Sequence, residues 1–220
     1  MKKITTFLLT LLLPLCYLSA QELKTEYRNQ IDSTLSDFTK QYLTMQGVQS
    51  HRVTIKGDFN GKRARIVKVT CKKGVFTESQ KLHEFQHLVM SDSVESLDFM
   101  AMPYGHDSLR IACFYPANYN QKLFEDTVQI DNMKILMETK VSDPGQTALM
   151  AYSTGLPMGA GTWFCGLRDS GVPPGQWYEK YEIDDYIYYY LKLEDDTPPS
   201  DDAPIYVKIA KKGSYASHVH

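Results

Sequence analysis

The residues whose types and spacing could do chemistry are His83, Glu84 and His87, in the segment His83-Glu84-Phe85-Gln86-His87. On a helix, side chains four apart lie one above the other, so both imidazoles can reach one zinc ion. The glutamate between them can then polarise a zinc-bound water as general base. A capping box, Thr77-Glu78-Ser79-Gln80, stands just upstream. It predicts a helix running from about residue 77 to about 90.

Over these five residues the segment resembles the metal-binding helix of zinc peptidases. The resemblance implies His83 and His87 as zinc ligands and Glu84 as the catalytic base, and it reaches no further. The extended pattern with a glycine and a third histidine is absent, since Met90 and Ser93 stand at those places. A zinc-dependent hydrolase is therefore the alternative reading, and zinc is expected only under it.

Aromatic residues supply the leading candidate site. Tyr186, Tyr188 and Tyr190 alternate along one predicted strand, with Trp177 close before them. Side chains two apart share a face of a strand, so the three tyrosines form a rigid, amphipathic row that suits a sugar or a protein surface or, if a helix covers that face, a second layer of core. A basic segment, 52–73, carries Arg52, Lys56, Lys62, Arg63, Arg65, Lys68, Lys72 and Lys73 against Asp58 alone. Such a ribbon could hold an acidic glycan or a lipid phosphate, or it could be a solvated strand edge.

The positioning elements follow from periodicity. Leu23, Tyr27, Ile31, Leu35, Phe38, Tyr42 and Met45 recur at steps of three and four, predicting one amphipathic helix over 22–46 with Gly47 as its stop. Alternation predicts hairpins over 52–72 (turn at Asn60-Gly61), 97–113 (turn at 104–107), 127–141 and 183–209. A short helix is expected between Asp143 and Gly155, and a strand over 162–167. The expected fold is α+β: an N-terminal amphipathic helix on a mainly antiparallel sheet built from hairpins, with one or two further short helices.

Residues 1–20 have the layout of a secretory signal peptide: Lys2 and Lys3, an apolar run over 7–18, then Ser19-Ala20. The run is short for a membrane span. The chain is expected to be exported to the periplasm or beyond, with residues 21–220 forming a single domain. Leu15 before Cys16 is a poor match to a lipid-attachment site. Losing Lys2 and Lys3 takes the formal charge from −2 to −4, which argues against nucleic acid as a partner. No second apolar run reaches spanning length. Cys71, Cys113 and Cys165 remain, each in an apolar context that reads as a buried small hydrophobe.

Together these features describe an exported bacterial cell-envelope protein, leaning away from an enzyme. It would be a binding module for a glycan, peptide or envelope protein around Trp177, Tyr186, Tyr188 and Tyr190, with no cofactor. A structural envelope subunit is the further alternative.

Overall fold

The computed structural model describes residues 23–31, 35–59, 62–79, 88–89, 94–116, 121–129, 134–159, 161–195 and 207–209. The fold is mostly β, and all its strand pairs are antiparallel. One five-stranded sheet has the order β1 (Lys24–Asn29), β2 (Gln49–Lys56), β6 (Val94–Tyr104), β7 (Ser108–Tyr115), β8 (Gln121–Gln129). A larger sheet runs β14 (Val207–Ile209), β4 (Val75–Ser79), β3 (Lys62–Lys72), β13 (Asp185–Asp195), β10 (Thr147–Ser153), β9 (Ile135–Glu138). Strand β5 (Leu88–Val89) also pairs with β3, and β11 (Leu156–Met158) pairs with β12 (Gly161–Trp163).

The two large sheets face each other across one core. Val53, Ile55, Leu97, Phe99 and Ile111 come from the first sheet, and Ile66, Leu149, Tyr189 and Leu191 from the second. The Tyr189 ring lies 5.7 Å from Phe99 and 5.2 Å from Phe124, so aromatic contacts join the layers. A third layer covers the outside of the larger sheet. It contains α2 (Phe164–Arg168), a 3₁₀ turn (Pro174–Gln176) and α3 (Trp177–Tyr181).

The α+β expectation is thereby corrected, beginning with the N-terminal helix. Residues 24–29 are an edge strand on β2, and the helix α1 is confined to Asp37–Met45. Leu23 and Tyr27 are four apart, a spacing that shares a face in a helix and in a strand alike. The strand wins because Tyr27 packs against the intersheet core and its hydroxyl donates to the carbonyls of Thr139 and Ala148. α1 has local reasons to start and stop. Ser36 accepts from the Thr39 N–H, and Gly47 adopts φ +67°. The Gly47 and Val48 amides then donate to Thr44 and Leu43, closing the helix end in a Schellman motif. α1 nevertheless buries no residue.

Three expected hairpins are corrected for one reason. β2 and β3, β8 and β9, and β13 and β14 are consecutive strands of alternating pattern, yet none of these pairs is bonded. The first two connections cross from one sheet to the other, and β14 pairs with β4 instead. Alternation sets which face is buried but does not name the partner strand. The 97–113 hairpin does form, as β6 and β7. An unforeseen hairpin joins β3 to β4 through Lys73 (φ 49°) and Gly74 (φ 79°), the two positive φ values that a tight type I′ turn needs.

Two expected helices are also overturned. Thr147–Ser153 is a fully buried strand, its near-continuous apolar run covered on both faces. Thr77–Ser79 belong to β4 and Leu88–Val89 to β5, where a 77–90 helix was expected. The strand expected over 162–167 gives way to α2 after Trp163.

Candidate functional site

The aromatic row forms a second core. Trp177 is 1 % exposed and Tyr186 0 %, with Tyr188 and Tyr190 also buried. They lie on the outer face of the larger sheet beside Val67, Val69 and Cys71, beneath Leu167, Val172 and Ile183 of the covering layer. The rings form a chain, Trp177 to Tyr186 at 5.4 Å, then Tyr188 at 6.2 Å and Tyr190 at 6.3 Å. Two of the rings anchor their polar atoms on the covering layer. The Tyr186 hydroxyl donates to the Pro174 carbonyl at 2.6 Å, and the Trp177 Nε1 donates to the Val172 carbonyl at 2.8 Å. Burial holds the Tyr186 and Tyr188 hydroxyls far above the usual tyrosine range, so both stay neutral. In this arrangement the four aromatics hold a layer in place and offer no face to a sugar or a partner.

His83, Glu84, His87 and Cys16 lie outside the described residues. Among the described residues, no three His, Cys, Asp or Glu side chains gather closely enough to hold a metal ion. Cys71, Cys113 and Cys165 are free thiols. Cys71 and Cys113 are the small buried residues expected, whereas Cys165 is exposed.

A cleft does open where the two large sheets part. The inner face of β3 reads Ala64, Ile66, Lys68, Thr70, Lys72, apolar at one end and polar at the other. Ala64 and Ile66 close the core, and the sheets can seal only as far as such side chains reach. Beyond them lies a cleft of about 420 Å³, lined by Lys68, Thr70 and Lys72 of β3, Asp185 of β13, Tyr152 of β10 and Lys134. Thr127, Val128 and Gln129 of β8 form the wall from the other sheet.

Its charges are arranged by depth. At the inner end the Lys68 ammonium pairs with the Asp126 carboxylate of β8 and so bridges the sheets. The Tyr189 hydroxyl donates to the same carboxylate at 3.4 Å. Burial first, and Asp126 second, pushes that hydroxyl well above its ordinary pKa and keeps it a donor. On the opposite wall Lys134, with only 9 % of its side chain exposed, pairs with Asp185 at 2.7 Å. Lys72 stands across the strand pair from Asp185, exposed and without an ion pair among the described residues. Three ammonium groups thus face two carboxylates, leaving one positive charge beside threonine, tyrosine and amide groups able to hydrogen-bond a polar ligand.

Lys68 and Lys72 belonged to the basic segment noted in the sequence. Lys134 gave no such signal. The informative pattern was the change from Ala64 and Ile66 to Lys68, Thr70 and Lys72 at one parity, which marks where the core must end. No protein-family model matches the chain, and no curated protein or solved structure matches it either.

Proposed function

We propose that this chain is an exported binding protein of a bacterial cell envelope, without catalytic activity, that holds an acidic glycan in the cleft between its two large sheets. The observation that supports it best is Lys72, a lysine with no ion pair among the described residues at the mouth of a cleft already walled by Lys68 and Lys134. A uronate or sulfate group supplies the missing anion, and sugar hydroxyls find partners in Thr70, Gln129 and Tyr152. The layout of residues 1–20 supports export. No helix among the described residues is long and apolar enough to cross a membrane.

Calorimetric titration of the chain lacking residues 1–20 tests the reading, with an oligogalacturonate against an uncharged maltooligosaccharide of equal length. Binding of the acidic sugar alone is expected, weakening as salt is raised. Lys72→Ala should weaken it several-fold without lowering thermal stability, because Lys72 is exposed and makes no ion pair among the described residues. Equal binding of the neutral sugar, no binding of either, or indifference to Lys72→Ala would each overturn the proposal.

A further inference from the structure

A second cleft, of about 360 Å³, lies on the outer side of the five-stranded sheet beside α1. Its polar wall is Arg28 of β1, Gln30, and Ser50 and Arg52 of β2. Its apolar wall includes Leu43 of α1, Val48 and Met100 of β6. The Schellman closure of α1 explains that wall, since the Val48 amide bonded to the Leu43 carbonyl brings the two side chains together.

The polar groups differ in availability. Arg52 holds both oxygens of Asp98, from Nε at 2.6 Å and from NH2 at 2.7 Å. The Gln30 amide donates to Asp98 at 2.9 Å and accepts from the Ser50 hydroxyl at 2.8 Å. These bonds tie the four side chains together and neutralise the Arg52 charge against Asp98. Arg28, its Cα opposite that of Arg52, is exposed and has no partner among the described residues. The cleft therefore offers one uncommitted guanidinium beside aliphatic surface.

That combination selects a ligand with one anionic head and an otherwise apolar body. An extended peptide would bring an N–H and a C=O at every residue. The Gln30, Ser50 and Asp98 side chains on this face are bonded to one another already, and an unmet buried polar group is costly. An alkyl chain brings no such groups. We infer that this cleft binds a free fatty acid, with the carboxylate on Arg28 and the chain along Leu43, Val48 and Met100. Arginine suits the head because its fork of donors matches a carboxylate. The site is separate from the lysine cleft, and either can fail without the other.

The probe is laurate below its micellar concentration, titrated into the chain lacking residues 1–20, with methyl laurate and a short peptide ending in Leu-Phe with a free carboxylate as comparisons. One laurate per chain is expected, with methyl laurate at least tenfold weaker because the ester carries no charge. Arg28→Ala should cost about the same factor, and Arg28→Lys should restore part of it. Since Arg28 is exposed and has no partner among the described residues, its variants should melt as the parent does, which separates lost binding from lost fold. The inference is overturned if laurate does not bind, if laurate and its ester bind alike, if the peptide binds more tightly, or if Arg28→Ala changes nothing.

Discussion

Each large sheet has helical chain on its outer side, and the two coverings are opposites. Over the larger sheet, residues 164–184 form short helices of five residues or fewer, yet place Leu167, Val172, Trp177 and Ile183 in a shared core with the tyrosine row. Beside the smaller sheet, α1 is the longest described helix, properly capped at both ends, and buries nothing. Its apolar stripe faces outward, with Phe38 78 % and Met45 84 % exposed. Helical regularity and burial are thus separate matters. Capping and backbone bonds suffice to shape α1, whereas the covering of the larger sheet owes its place to side chains that exclude water.

Close approach shows the same contrast. A Cβ on Gly74 would come within 2.4 Å of the Tyr178 ring, so the β3–β4 turn and the covering layer touch with no space left. A Cβ on Gly47, just past the end of α1, would sit 3.1 Å from the Pro103 ring of β6, a looser approach. One covering is interlocked with its sheet, and the other rests at its margin.

Three variants would break or sharpen this contrast. Trp177→Ala should have the largest effect, since it empties the centre of the covering layer and removes the bond to Val172. A loss of about 3–5 kcal/mol in urea unfolding is expected, and a loss under about 1 kcal/mol would show the layer to be ornamental. Ser36→Ala removes the cap of α1 and should cost that helix about 1 kcal/mol. Hydrogen exchange would report it as roughly fivefold faster exchange at α1 amides with the sheet amides unchanged. Faster exchange across β2 and β6 as well would tie α1 to the sheet more closely than its exposure indicates. Smallest of all is the pair Phe38→Ser and Tyr42→Ser. Placed on an exposed face, it should move global stability by no more than about 0.5 kcal/mol. A drop comparable to that of Trp177→Ala would mean that the outward stripe has a packing partner.

The contrast also shows where the sequence could be read. The 97–113 hairpin was legible because its strands alternate and Gly105 takes the positive φ its turn needs. The tyrosine row was legible as a row, all on one face of β13, but its cover was not. Residues 164–184 carry no sustained apolar period, and it takes folding to bring Val172 over Trp177. The stripe from Leu23 to Met45 misled in the other direction. Its first part serves an edge strand, and its last part serves a helix that stays in water. Of the lysine cleft, Lys68 and Lys72 were visible as basic residues, whereas Lys134 stands just before β9, remote in sequence from β3.

What the sequence by itself determined is local: the parity of strands such as β6, β7 and β13, the stop of α1 at Gly47 and the basic residues along β3. These depend on neighbours within a few positions, where backbone sterics and side-chain direction act directly. Tertiary structure decided which strands pair, which face of β13 is sealed and where the sheets part. Each of those outcomes depends on residues such as Lys68 and Asp126, or Tyr186 and Pro174, that meet only when the chain has closed. Apolar burial acts over any sequence distance and rewards whichever surfaces exclude the most water, so periodicity alone could not foretell them.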